Sequence, residues 1–119
     1  MAKTETIRFE DGDYWEFKTY MTVAQERLWV QHAMDAQVTY RNPDSGVLDQ
    51  LARRMDALVV AQSVNWSYGP VDLNTFYEIP SHHYAEVASR MGDLYSPLVV
   101  KSIERGLQIY SSLSSPQGE

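Results

Sequence analysis

The chain has 119 residues, a formal net charge of −6, 44% hydrophobic residues and 22% charged residues. This composition is typical of a folded globular protein, and the length suits a single domain over residues 1–119. The acidic charge disfavours nucleic acid as a partner, because nonspecific binding to phosphates depends on Lys and Arg. The absence of cysteine excludes thiol catalysis, disulfides and cysteine-ligated zinc. Without a signal-like start or a run of about eighteen apolar residues, we expect a soluble cytoplasmic protein with no membrane contact.

Residues 4–20 have the pattern of a β-hairpin. Ile7 and Phe9 alternate with charged residues, as do Trp15 and Phe17, and Asp11-Gly12 between them is suited to a tight turn. Two strands alone are marginally stable in water, so the apolar face must pack on helices or on another chain.

Two helices are predicted next. Thr22, three residues before Gln25, indicates a capping box, and the first helix extends to about Tyr40. The breaker-rich segment 41–46 then predicts a short loop between antiparallel helices, and the second helix ends near Ser63. The apolar stripes contain Val23, Trp29, Val30, Ala33, Met34 and Val38 in the first helix, and Leu48, Leu51, Met55, Leu58 and Val59 in the second.

The segment 64–71 is short, extended and aromatic. It contains Trp66 and Tyr68 and ends at Gly69-Pro70. Large aromatic residues at such a break usually anchor a connection in the core, because each ring can bury a large apolar surface. We therefore expect Trp66 to be a core anchor.

Three further helices complete the predicted helical body, residues 22–110. Asp72 caps a short helix that stops at Pro80, Ser81 caps the next, and Ser96-Pro97 separates it from a final helix. The Ser-rich segment 111–119 has no apolar pattern and is predicted to be mobile. The fold class is mainly α: a small helical domain of four to five helices preceded by an N-terminal β-hairpin.

Catalytic and metal-binding patterns are weak. His82 and Glu86 are four residues apart on one helix, a spacing that can hold a metal, but with His83 beside them we expect ordinary surface histidines. Asp11, Asp13 and Glu16 resemble a carboxylate cluster, yet a solvated acidic hairpin explains them. No nucleophile elbow or phosphate-binding glycine loop occurs. The sequence predicts no enzyme activity, no cofactor and no metal.

The order of motifs resembles that of the tail assembly chaperones of long-tailed bacteriophages. The likeness covers roughly residues 7–95 and consists of a hairpin, a Thr-Val-Ala-Gln-Glu-Arg helix start at 22–27, the segment Asn65-Trp66-Ser67-Tyr68, and a closing helix. This resemblance implies a small, mostly helical protein of the host cytoplasm. Such chaperones coat the helical tape measure protein, keep it soluble and recruit tail tube subunits.

A client of that kind exposes long apolar helix faces, which associate unless another surface covers them. We therefore predict three candidate surfaces for the tape measure protein and the tail tube protein, with self-association left open. They are the aromatic segment with Trp66 and Tyr68, the C-terminal seam formed by Val100, Ile103, Leu107 and Tyr110, and the hairpin face around Trp15 and Phe17. The C-terminal seam has helical spacing, so it can equally close the protein's own core.

Two other functions stay open at this point. The chain can be a permanent virion protein, such as a head-tail connector or tail completion protein, whose hairpin adds to a neighbouring sheet or ring. It can also be a small regulatory binding module. A connector would persist in purified virions, whereas a chaperone would be absent from them.

Overall fold

Three long helices and a small antiparallel sheet make up the protein, as seen in a computed structural model that describes residues 3–41 and 44–114. In chain order the elements are β1 (Thr4–Arg8), β2 (Tyr14–Lys18), α1 (Val23–Arg41), α2 (Ser45–Gln62), β3 (Ser63–Trp66), α3 (Leu73–Phe76) and α4 (Ser81–Ser114). The predicted mainly α fold with an N-terminal hairpin is confirmed.

The sheet has the order β1-β2-β3, with both pairs antiparallel. Ile7 lies opposite Trp15, and Trp15 lies opposite Trp66 on the other side. A bulge follows, since Glu16 pairs with Asn65 but Phe17 pairs with Ser63. The extended segment after α2 is thus partly a third strand. It supplies the additional pairing that a two-stranded hairpin needs for stability.

The hairpin turns at Asp11-Gly12, where the sequence predicts it. The connection between the two strands spans residues 9–13, and the Phe9 N–H donates to the Asp13 carbonyl at 2.9 Å. Gly12 has φ +94°, a left-handed conformation that glycine adopts without a steric penalty. The predicted turn at Asp11-Gly12 is therefore present, as a three-residue loop, 10–12, closed by Phe9 and Asp13.

Helix α1 begins after Thr22, whose Oγ1 accepts from the Gln25 N–H at 3.2 Å. The reciprocal half of the predicted capping box is missing, since Gln25 Oε1 is buried without a hydrogen-bond partner among the described residues. Helix α2 begins earlier than predicted, at Ser45, because the Asp44 carboxylate accepts from the N–H groups of Gly46 and Val47. The predicted loop 41–46 is correspondingly shorter, and residues 42 and 43 lie outside the described part.

A single 34-residue helix, α4, replaces the two helices predicted around Ser96-Pro97. Pro97 removes one backbone donor, but buried side chains on both sides of it, Met91, Tyr95 and Val99, hold the helix to the core. The predicted cap at Ser81 is also displaced by one residue, since the carbonyl of Pro80 accepts the first N–H groups. The helix continues to Ser114, so residues 111–114 of the predicted tail are helical. Residues 115–119 lie outside the described part.

The core joins the sheet to all three long helices. Its buried members are Trp15, Phe17, Trp29, Leu58, Val59, Trp66, Phe76, Ile79, Val87, Met91, Tyr95 and Val99. The molecule is elongated, with principal extents of 65 × 40 × 20 Å, because α4 alone runs for about 50 Å at 1.5 Å per residue. Among the described helices, none combines the length and the apolar character needed to cross a membrane.

Candidate partner-binding surface

An apolar cavity of about 320 Å³ lies among the three long helices, and we call it the three-helix groove. Its lining residues come from α1 (Trp29, His32, Ala33, Gln37), α2 (Met55, Val59) and α4 (Tyr84, Ala88, Met91, Gly92, Ser96, Val99, Val100, Ile103). None of these lining residues, all of which lie in the described part of the chain, is Asp, Glu, Lys or Arg. The groove therefore offers a hydrophobic surface, open at its exposed members Gln37, Ser96 and Val100.

Small residues form one side of the three-helix groove. Ala88, Gly92 and Ser96 follow each other at intervals of four along α4, which places them in one row on the helix surface. A Cβ atom added at Gly92 would meet nothing within 4 Å. The row thus leaves open space into which the side chains of another helix can insert.

Two polar atoms on the groove-lining residues have no hydrogen-bond partner among the described residues. Trp29 Nε1 and His32 Nδ1 are both buried, and leaving such a group unpaired costs about 1–3 kcal/mol. Burial is the main cause that lowers the pKa of His32, and the positive charge of Arg54 lowers it further, although Asp35 opposes both. The imidazole is therefore held in its neutral form, which suits an apolar groove.

Only part of the C-terminal seam lines the three-helix groove. Val100 is 52% exposed and Ile103 is partly buried against the core, and both line the groove. Leu107 lies one turn further along α4 and is 61% exposed. The Tyr110 side chain lies outside the described part. The structure thus brings two of the four predicted seam residues to the groove and leaves a third exposed beyond it.

The aromatic candidates are mostly internal. Trp15 and Phe17 have 0% exposure and Trp66 has 3%, so these three side chains present no surface to a partner in this fold. The prediction of a hairpin face for a client is corrected: that face packs on the protein's own helices. Tyr68 is half-buried, and burial together with Asp13 and Asp11 raises its pKa to about 12.

His83 is buried, contrary to the prediction of a surface histidine. Its Nε2 lies 2.9 Å from Asp11 Oδ2 and its Nδ1 lies 2.8 Å from the Tyr68 hydroxyl. The Phe9 ring stacks on the imidazole, with centroids 3.8 Å apart. The neighbouring His82 is exposed, as predicted.

The three hairpin carboxylates do not converge on one point. Asp11 faces His83, Asp13 accepts from the Ser67 hydroxyl at 2.7 Å, and Glu16 accepts from the Thr4 hydroxyl at 2.9 Å. Asp11 and Asp13 therefore tie the hairpin loop to other parts of the fold, and Glu16 links the two strands of the hairpin.

The sequence did not predict that Trp29, His32 and Gly92 lie together in one groove. The i, i+4 row of small residues in α4 was the one local signal available, but its meaning depends on what packs beside it. The contact between Asp11 and His83 had no local signal, since the residues belong to distant elements.

Comparison with protein-family models, with curated proteins and with solved structures returned no match to this chain.

Proposed function

We propose that the protein is a non-catalytic tail assembly chaperone of a long-tailed phage. In this role it acts in the host cytoplasm, binds the tape measure protein and helps to recruit tail tube subunits. The observation that carries the proposal is the three-helix groove, an uncharged apolar cavity with a row of small residues along one side.

The groove is suited in shape and chemistry to a client helix. The packing of two helices requires the side chains of one to enter grooves on the other, and small residues allow the closest approach. Ala88, Gly92 and Ser96 supply such a row, and Val100 and Ile103 extend the apolar surface along α4. An amphipathic helix can lay its apolar face into a surface of this kind.

A steric block of the groove tests this proposal. Gly92→Leu places a large side chain in the open space, and Gly106→Leu is the matched control. Both glycines lie in α4, and an added Cβ meets nothing within 4 Å at either one, but only Gly92 lines the groove. Replacing a glycine inside a helix stabilises the helix by roughly 0.5–1 kcal/mol, so both variants should fold.

Each variant is coexpressed with a fragment of the tape measure protein from the same phage, and the soluble fraction of the fragment is measured. We expect the wild type and Gly106→Leu to keep the fragment soluble and Gly92→Leu to lose this activity while its circular dichroism spectrum is unchanged. Full activity in Gly92→Leu would reject the groove as the client site. Persistence of the protein in purified virions would favour the permanent structural role instead.

A further inference from the structure

We propose that Asp11, His82 and His83 form a binding site for a divalent transition metal, for which zinc is the best match. One candidate ligand atom from each of these three residues lies within 4.8 Å of the other two. We call these residues the histidine cluster. The site is distinct from the three-helix groove, since the two share no lining residue.

One distance in the histidine cluster, between His83 and Asp11, is close to the one that zinc requires, and His82 has a ligand atom within 4.8 Å of both. Zinc binds His nitrogen and carboxylate oxygen at about 2.0–2.2 Å, which puts two tetrahedral ligands about 3.3 Å apart. His83 Nε2 and Asp11 Oδ2 are 2.9 Å apart, so a small outward movement of the exposed Asp11 side chain admits the ion. His82 lies in the first turn of α4 with an exposed side chain, and its ring centroid is 4.4 Å from that of His83.

The neighbours of His83 fix the orientation of its imidazole ring, as is usual for a histidine that binds a metal. Its Nδ1 meets the Tyr68 hydroxyl at 2.8 Å and its ring stacks on Phe9. Metal-binding histidines usually direct the second ring nitrogen to an oxygen that fixes the ring and its tautomer. In the structure Nε2 faces the Asp11 carboxylate, so a metal that binds Nε2 replaces the proton shared there, and Nδ1–H can then donate to the Tyr68 oxygen.

The ligand types favour zinc over magnesium or calcium. Two imidazoles and one carboxylate are ligands that transition metals prefer, whereas calcium and magnesium prefer oxygen alone. Glu86, one turn after His82, lines the same cavity of about 490 Å³, but its carboxylate does not belong to the cluster and becomes a fourth ligand only if its side chain turns toward it. Otherwise water completes the tetrahedron.

A bound ion would join the β1–β2 connection to the first turn of α4. A ligand that binds the folded state and not the unfolded state raises the melting temperature. The structure therefore predicts that zinc stabilises this protein, and that a chelator reverses the effect.

Tag-free protein is titrated with zinc chloride by calorimetry, and its melting temperature is measured with zinc and with a chelator. We expect one zinc per chain and a higher melting temperature with zinc. Cobalt in place of zinc should give the visible absorption of a tetrahedral ion. His82→Gln and Asp11→Asn should each weaken zinc binding by at least about tenfold, and Tyr68→Phe, which alters only a positioning residue, by about 10- to 100-fold.

His32→Gln is the matched control, because His32 lines the groove and lies outside the cluster. It should bind zinc like the wild type. The proposal is overturned if zinc in molar excess gives neither heat nor a change in melting temperature, or if His82→Gln and Asp11→Asn both bind as tightly as the wild type. His82 and Asp11 are exposed, so circular dichroism should show both variants folded.

Discussion

The rings of Trp15 and Trp66 meet edge to face, with centroids 5.1 Å apart and planes at 87°. The two residues are also direct partners across strands β2 and β3. Trp15 Nε1 donates to Ser63 Oγ at 2.8 Å, and Trp66 Nε1 donates to the carbonyls of Gly69 and Pro70. Both indoles are therefore buried with their polar atoms satisfied, which is how an aromatic pair stabilises a core without a desolvation penalty.

Removal of the Trp66 ring should be strongly destabilising. Trp66→Ala leaves a large cavity beside Trp15, and we expect a loss of about 3–5 kcal/mol in the free energy of unfolding. Urea denaturation followed by circular dichroism measures this loss. Val64→Ala on the same strand is the control, since Val64 is exposed and its loss should cost no more than about 0.5 kcal/mol. Equal stability of the two variants would place Trp66 outside the core.

Pro97 should weaken α4 locally. Pro97→Ala restores a backbone donor within the helix at an exposed position, so we expect the variant to be more stable, by about 1–2 kcal/mol. This gain is less than the roughly 3 kcal/mol of intrinsic helix propensity because proline also restricts the unfolded chain. Chemical denaturation tests the prediction. A less stable Pro97→Ala would argue that α4 breaks at Ser96-Pro97, as the sequence alone suggested.

The ion pair between Arg90 and Glu5 joins α4 to β1. It is bidentate, with N–O distances of 2.7 and 2.9 Å, and the hydrogen bond from Arg90 is the main cause that lowers the pKa of Glu5. Because the folded-state pKa is below the unfolded value, this contribution is present at neutral pH and is lost as the pH falls through the folded-state pKa.

Arg90→Gln should therefore lower the melting temperature slightly at neutral pH and low salt, since both side chains are partly exposed. The difference from the wild type should shrink in high salt and disappear in acid. Arg53→Gln, which removes a more exposed pair with Asp49, should have an even smaller effect. A difference that persists in acid would assign the effect to packing of the Arg90 side chain.

Alkaline pH should destabilise the fold through buried tyrosines. Burial is the main cause that raises the pKa of Tyr84, with Asp56 adding to it. A folded-state pKa above the usual value of about 10 means that stability is full below pH 10 and falls as the pH rises through the folded-state pKa. Between pH 9 and pH 11, the melting temperature of Tyr84→Phe should fall by less than that of the wild type. Identical losses would show that Tyr84 ionises freely in the folded protein.

Local patterns of the sequence determined most of the secondary structure. Alternation of apolar and charged residues defined β1 and β2, and periodic apolar positions defined α1, α2 and α4. Asp72 caps α3 as predicted, since its carboxylate accepts from the Thr75 N–H at 2.8 Å. These signals act over a few residues, so they can be read without knowledge of the fold.

Tertiary packing decided the features on which function depends. Trp15 and Phe17 became core residues because the hairpin packs on the helices, and Ser63–Trp66 became a strand because β2 offered it an edge. Buried contacts on both sides of Pro97 held α4 together against a local signal for a break. At Pro97 the local sequence predicts the end of a helix, but the burial of neighbouring α4 side chains keeps the helix continuous.

The groove and the histidine cluster depend on long-range contacts in the same way. Gly92 borders an open groove only because α1 and α2 pack beside α4, and Asp11 meets His83 only because the hairpin loop lies against the start of that helix. The sequence by itself thus determined most of the helices and the two strands of the hairpin, through interactions between near neighbours. Which side chains lie together was decided by the tertiary structure, since burial of apolar surface depends on how distant segments pack.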